Sequence, residues 1–364
     1  MERLFKGRAI LILGPRQAGK TTLSKKILES FGEKGGYFNC ELLAVRKHFV
    51  FGEPDSLLNL VGDKKIAVFD EAQTIENIGV MLKTFIDTYP DIQIIATGSS
   101  SFDLANKINE PLTGRAFEFI LMPLSLSEIR KTIGISKVSL MDYMRLGTYP
   151  AVVGETNPNI KEDLLKNLTT NYLYKDIFIF EAIKSPKVLE NLLKALALQL
   201  GGTVSINELS QTLGISRATV EKYLRLLEQA FVIFRLPSFS RNLRTELKKV
   251  FKVYFFDLGV RNAVVDDISP VEDRPDKGVI FENMFIVERM KRGLLETLPP
   301  KMAFWRTRTG LEIDLIEDKN GLISAYECKW KKDNFSFGEF LKKYPKASVK
   351  IVTPETVLED DKIL

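Results

Sequence analysis

Five apolar residues in a row, Ala9 to Leu13, stop at a glycine, and the apolar positions of the following TTLSKKILES return at helical spacing. A short unbroken apolar run that ends in a turn signal and feeds a helix is the pattern of a strand buried on both faces. Two further runs repeat it. KKIAVFDEAQ (64–73) ends in two acids, and DIQIIATGSSS (91–101) ends in Thr97 and the serines Ser99, Ser100 and Ser101. Beyond residue 125 the period turns helical, through VSLMDYMRLGTYPAVV (138–153) and KEDLLKNLTTNYLYKDI (161–177), with Gly147 and Tyr149-Pro150 marking a chain turn. In 204–236, Leu209 and Leu213 mark a short helix, Gly214 a turn, and Ser216 the cap of a second helix carrying Val220, Leu224 and Leu227; FVIFRL then reads as a strand. The last third holds an amphipathic helix, GVIFENMFIVERM, with Glu282. Two strands follow. LEIDLIED alternates so that Glu312 and Asp314 share a face, and ISAYECKW sets Glu327 and Lys329 on one face. The polar, proline-bearing DDISPVEDRPDKG (266–278) reads as a mobile loop.

Composition narrows the class. At 364 residues, 45% hydrophobic and 27% charged, the chain suits two to four domains of an ordinary globular protein. No apolar run reaches the roughly 18 residues of a membrane span. AILIL is too short for a signal-peptide core, so a cytoplasmic protein is expected. Cys40 and Cys328 stand alone and far apart, which argues against a disulfide framework or a cysteine zinc site. His48 is the single histidine, so acid–base chemistry falls to carboxylates, lysines or metal-bound water.

Gly14 to Thr21 fits G-x-x-x-x-G-K-[ST] in full. Gly14 and Gly19 allow a tight turn whose N–H groups face phosphate oxygens, and the helix starting near Lys20 adds its N-terminal dipole. Pro15, Arg16, Gln17, Ala18 and Thr22 complete the cradle; Lys20 reaches the β- and γ-phosphates of ATP, and Thr21 is placed to ligate Mg²⁺. Asp70 would hold Mg²⁺ through water, and Glu71 would polarise the water that attacks the γ-phosphate. Thr97 is a sensor candidate, with ordinary turn chemistry as its alternative.

GPRQAGKTT, FDEAQ, ATGSSS and LTGRAFEFILMPLSLSEI together resemble the AAA+-type ATPases of bacteria and archaea that carry a DUF4143 C-terminal region. The resemblance implies a helical lid after the ATPase core. It also makes Arg115 a phosphate-sensing arginine, acting within the subunit or across an interface; a surface pair with Glu118 is the alternative. The 204–236 segment resembles a winged helix-turn-helix. If it binds DNA, Arg217, Thr219 and Lys222 are its exposed readers; packing or protein contact is the other use. From Arg235 to Lys252 six basic residues face one acid, Glu246, as phosphate contacts would require; a solvated linker shows the same bias. Seven lysines from Lys329 to Lys350 form a second basic zone.

Glu282, Asp314, Glu327 and Lys329 make an E…D…E-x-K set that resembles the PD-(D/E)XK nuclease core. There Asp314 and Glu327 would hold Mg²⁺ or Mn²⁺, Glu282 would assist, and Lys329 would orient or deprotonate the attacking water. Trp305, Arg306 and Arg308 are candidates for the nucleic-acid backbone. The resemblance also implies this fold, without guaranteeing activity.

The expected fold class is α/β: a P-loop NTPase domain with a helical lid, a winged helix, and a restriction-endonuclease-like α/β C-terminal domain. The boundaries are 1–125, 126–185, 186–240 and 241–364. The expected function is a Mg²⁺-dependent ATPase that engages DNA, with a metal-dependent nuclease-like domain and no membrane partner, self-association being left open. The alternatives are a nucleotide-switched DNA- or protein-binding regulator with an inert C-terminal scaffold, and a signalling ATPase of a defence or toxin-linked system without DNA contact.

Overall fold

A computed structural model describes residues 2–98, 112–169, 185–239, 250–307, 309–360 and 363–364. The chain divides into two compact units. The first is Met1–Pro123 with Gln229–Phe231, and the second is Leu124–Glu228 with Val232–Leu364.

In the first unit the apolar runs become parallel strands: β1 (Ala9–Leu13), β2 (Gly35–Asn39), β3 (Ile66–Asp70), β4 (Gln93–Gly98) and β5 (Ala116–Ile120), ordered β2-β3-β4-β1-β5. Strands β1, β3 and β4 are buried along their whole length, which is why their sequences are continuous apolar runs and do not alternate. Helices α1 (Lys20–Glu29), α2 (Leu43–Arg46), α3 (Pro54–Val61) and α4 (Ile78–Thr88) connect them. One face is filled by Ile10, Ile12, Ile66, Val68 and Ile95, with Ile27 and Leu28 of α1 packed on it. That packing fixes the start of α1 against the end of β1. Strand β4 lies between the P-loop strand and the acid-bearing strand, so Thr97 comes to rest between their ends.

The second unit opens with α5 (Leu126–Thr132), α6 (Lys137–Leu146), α7 (Pro150–Gly154) and α8 (Pro158–Asn167). Helix α9 (Pro186–Leu198), β6 (Thr203–Val204), α10 (Ile206–Leu213), α11 (Arg217–Gln229), β7 (Ile233–Pro237) and β8 (Phe251–Phe255) follow, the strands forming an antiparallel sheet β6-β8-β7. Ser205 caps α10 through the Glu208 amide, Gly214 turns at φ 64, and Ser216 accepts from the Thr219 amide at 3.1 Å. These are the stop and start signals visible in the sequence. Helices α12 (Leu258–Val264) and α13 (Lys277–Leu294) lead to β9 (Lys301–Arg306), β10 (Glu312–Lys319) and β11 (Leu322–Cys328). Helix α14 (Gly338–Lys343), β12 (Ser348–Val352) and α15 (Pro354–Glu359) end the unit, its sheet ordered β12-β11-β10-β9.

Three features differ from the sequence reading. Strand β8 lies beyond the expected boundary at residue 240, yet it pairs with β6 and β7. The helices of the expected lid bind elements assigned to the C-terminal domain: Asn262 of α12 donates to the Met144 and Arg145 carbonyls at 3.0 and 2.9 Å, and the Thr148 amide donates to Asp257 at 2.7 Å. A Cβ on Gly147 would stand 2.1 Å from Asp257 Oδ1, so this turn requires glycine. The 266–278 segment is pinned, not loose: Arg274 is buried and donates to Asp276 and to the Asp267 carbonyl. Part of the lid, 170–184, and most of the basic run, 240–249, lie outside the described residues. No helix among the described residues is long and apolar enough to cross a membrane.

Candidate functional site

The first site sits at the C-terminal ends of β1, β3 and β4, where open parallel sheets hold ligands. The loop leaves β1 at Gly14, whose φ is 151 and where a Cβ would lie 2.0 Å from the Leu121 carbonyl oxygen. Gly19, at φ 100, brings the chain into α1. Between them Pro15 and Ala18 are buried, Arg16 is half-buried and Gln17 is exposed; Thr22 is exposed on α1. Lys20 is buried, and its Nζ donates to the carbonyls of Gly14 at 2.9 Å and Pro15 at 2.8 Å, which holds a positive charge inside the loop.

Asp70 gathers hydroxyls. Thr21 Oγ1 donates to its Oδ2 at 2.7 Å, Tyr37 to the same oxygen, and Thr97 to Oδ1. Burial and the Asp70 carboxylate push the Tyr37 phenol well above its ordinary range, so it stays a donor. Glu71 adopts the left-handed region at φ 54. Its amide donates to Thr97 Oγ1 at 3.1 Å, and its carboxylate accepts from Gln73. Thr21 and Asp70, hard oxygen groups in contact beside a buried ammonium, form a donor set that fits Mg²⁺. Tyr37 escaped the sequence reading because nothing in GGYFN signals that β2 runs beside β3.

The second cluster lies in the other unit. Glu282 on α13, Glu312 and Asp314 on β10, and Glu327 on β11 converge. Within it stands a lysine that the sequence reading placed in a basic run suited to phosphate contacts or a solvated linker. Lys252 of β8 is 1% exposed, with Nζ 2.5 Å from Glu312 Oε1, 3.1 Å from Glu282 Oε1 and 3.7 Å from Asp314 Oδ1. Tyr254 donates to Glu282 at 2.5 Å, the Cys328 amide to Asp314 at 2.9 Å, and Lys329 pairs with Glu327 at 2.9 Å. Lys252 and Lys329 thus both compensate the carboxylates. Burial alone would lower the Lys252 ammonium, but Glu282, Asp314 and Glu312 outweigh it and hold the group above the usual lysine range. Burial, then repulsion from Asp314, pushes Glu282 up to about 8 and Glu327 up to about 7; burial also raises Asp314. The carboxylates are met by ammonium and hydroxyl donors, and a divalent ion does not fit among them without displacing Lys252. Among the described residues no group of three or more metal-ligating side chains is arranged to hold a metal.

A pH dependence follows. A carboxyl raised from about 4.3 in the unfolded chain holds its proton longer in the folded state, so its contribution is full below that value and lost as pH rises through the folded pKa. The second unit should melt several degrees lower at pH 8.5 than at pH 6. The fluorescence of Trp305 and Trp330, both in that unit, reports it. An unchanged melting temperature would mean that neither carboxyl is raised.

Residues 6–130 match the family model described as an AAA domain, and 277–362 match DUF4143, a domain of unknown function. The chain joins an AAA domain to a DUF4143 domain. Residues 123–270, between them, match another domain of unknown function, DUF8612. An uncharacterized protein of Mycobacterium tuberculosis is 26% identical over 329 residues, 90% of this chain and 71% of that one. One from Methanocaldococcus jannaschii is 26% identical over 350 residues, 89% and 76% of the respective chains. Among solved structures, the Thermotoga maritima RuvB Holliday junction branch migration motor aligns with 63% of this chain and 82% of its own, at 20% identity and a TM-score of 0.32.

Within the AAA domain, Arg115 falls in an unexpected place. It directly precedes β5, beside Ala9, whereas the P-loop follows Leu13 at the other end of β1, about 16 Å away at 3.3 Å per residue. It pairs with Asp87 at 2.7 Å and not with Glu118, so it cannot sense phosphate within its own subunit. Ser99, Ser100 and Ser101 lie outside the described residues, as does Arg308. Trp305 belongs to the core, edge-on to Phe340 at 5.2 Å, and Arg306 lies 3.7 Å from Glu312. Arg217 and Lys222 are exposed on α11, and Thr219, half-buried, completes the Ser216 cap at 2.9 Å. Arg225, exposed one turn beyond Lys222, extends that face; its i+3 spacing was readable. Arg235 is drawn into ion pairs with Glu221 and Glu228 at 2.7 and 2.6 Å. With Lys252 buried, both cations of the basic run that lie among the described residues serve internal pairing.

Proposed function

We propose that this chain is a Mg²⁺-dependent ATPase that engages DNA and acts in the cytoplasm. The observation that carries the first part is the convergence of Thr21, Tyr37 and Thr97 on Asp70 beside the buried Lys20. Thr21 and Asp70 would hold Mg²⁺, which when bound neutralises phosphate charge. Lys20 supplies a second positive charge to the phosphates, and Glu71 accepts the proton of the attacking water once its carboxylate turns from Gln73. Thr97 positions both acids by bonding the Asp70 side chain and the Glu71 amide. For Arg115 to sense phosphate, a second copy of the chain is required, which favours a homo-oligomer.

DNA engagement rests on the α10–α11 pair with the β7–β8 hairpin, read as a winged helix whose α11 presents Arg217, Lys222 and Arg225. Reversing the charge of Arg217 and Lys222 should weaken DNA binding at least about tenfold and reduce the salt slope by roughly two, because each lost phosphate contact releases fewer counterions. Fluorescence anisotropy over a salt series measures both. Unchanged affinity would remove α11 as the reader, and absence of salt-dependent binding would favour the signalling ATPase without DNA contact.

Metal-dependent cleavage by Asp314, Glu327 and Lys329 is the second reading, and it requires a divalent ion to displace Lys252 from Asp314. The one observation that favours it is that Glu327 Oε2 is buried without a hydrogen-bond partner. Incubating plasmid with Mn²⁺, with and without ATP, tests it, and the regulator with an inert scaffold is the outcome if no nicking occurs.

A further inference from the structure

We infer that the Lys252 ammonium is the resident cation of the Glu282–Glu312–Asp314 cluster, standing where a divalent metal would otherwise be needed and latching β8 to α13 and β10. The inference rests on the cluster's geometry and is independent of the ATPase reading.

An ammonium has three protons to donate and no acceptor. Those of Lys252 face Glu312 at 2.5 Å, Glu282 at 3.1 Å and Asp314 at 3.7 Å, one carboxylate from α13 and two from β10. Tyr254, two residues along the same strand face, donates to the Glu282 oxygen that Lys252 also touches. Asn283, next to Glu282, donates to the Phe255 carbonyl and accepts from its amide, both at 2.9 Å, so α13 is also fastened to β8 beyond the ion pair. Four carboxylates meet Lys252, Lys329 and the more distant Arg306, so the chain's own side chains already supply three of the opposing charges.

A metal finds little here to bind. Mg²⁺ and Ca²⁺ take six or more oxygens at about 2.0–2.6 Å. Of the oxygens around the cluster, Glu327 Oε2 is the one recorded as buried without a partner among the described residues. Any ion that also used Asp314 and Glu282 would meet a buried ammonium head-on. Lys252 cannot swing clear into solvent, because β8 is buried along its whole length and Phe304 packs 5.4 Å from the ammonium.

The experiment uses the nucleotide-free full chain, followed by tryptophan fluorescence during heating, in EDTA and in millimolar Mn²⁺. Wild type should melt at the same temperature in both. Lys252→Gln should melt about 10 °C lower in EDTA, since it strips the cation from buried carboxylates, and Mn²⁺ should recover part of the loss by occupying the emptied place. An increase of the wild-type melting temperature in Mn²⁺ that Asp314→Asn removes would overturn the inference. So would a Lys252→Gln variant that melts like wild type, or one that Mn²⁺ leaves unmoved. Should Lys252→Gln not fold, Mn²⁺ titration followed by electron paramagnetic resonance decides. Equal binding to wild type and Asp314→Asn supports the resident ammonium, and a site lost in Asp314→Asn overturns it.

Discussion

Lys20→Ala should lose nucleotide binding and with it all turnover, whereas Glu71→Gln should bind ATP normally and hydrolyse it at least about tenfold more slowly. The two substitutions act on different links. Lys20 is buried at the start of α1, and its ammonium is already held against the loop carbonyls of Gly14 and Pro15. Alanine removes both the loop's internal positive charge and the donors that brace its first turn, so the phosphates lose their main counter-charge. Glu71→Gln keeps the shape and the bond between the backbone amide and Thr97 Oγ1 but offers no basic oxygen to the water. A fluorescent nucleotide measures the first effect and phosphate release the second. Wild-type turnover in both variants would sink the P-loop assignment, and weakened binding in Glu71→Gln would show that this acid positions nucleotide.

The first unit was legible because burial on both faces of a parallel sheet writes itself as unbroken apolar runs, and because phosphate chemistry demands glycines and a lysine at fixed spacing. What stayed hidden depends on sheet order. Tyr37 reaches Asp70 only because β2 pairs with β3, and Arg115 lies at the far end of β5 because that strand runs parallel to β1. Lys252 was misread for a different reason. In RLPSFSRNLRTELKKVFK it is one cation among six, and composition assigns such a run to phosphate contacts or to a solvated linker. The contrary signal was local. FKVYF puts Lys252 and Tyr254 on one face between Phe251, Val253 and Phe255, a pattern for a buried strand whose polar positions must find partners. The C-terminal acids were found from alternation alone, but their compensating charge came from a strand some sixty residues earlier, beyond the reach of any periodicity.

The same logic governs a second buried pair. Lys291 and Glu288, one turn apart on α13, are 6% and 4% exposed and meet at 2.9 Å. Lys291 Nζ also donates to the Leu124 carbonyl at 3.0 Å and to Thr148 Oγ1 at 3.3 Å, while Glu288 Oε2 accepts from the Leu126 amide at 2.6 Å. The pair thus ties the chain at 124–148 to α13, and each charge has the other as its near counter-ion. Lys291→Ala leaves a buried carboxylate uncompensated and two acceptors unmet, which should cost about 3–5 kcal/mol. Glu288→Ala should cost a similar amount, because it takes from the buried ammonium its paired carboxylate and leaves the Leu126 amide unmet. If the mutual attraction is what each single change destroys, Lys291→Ala combined with Glu288→Ala should fall short of the summed single losses by at least about 1 kcal/mol. Urea midpoints followed by the fluorescence of Trp305 and Trp330 read the second unit alone, since both lie within it. Additive losses would mean that the two groups act through their separate backbone bonds, with no ion pair between them contributing to the fold.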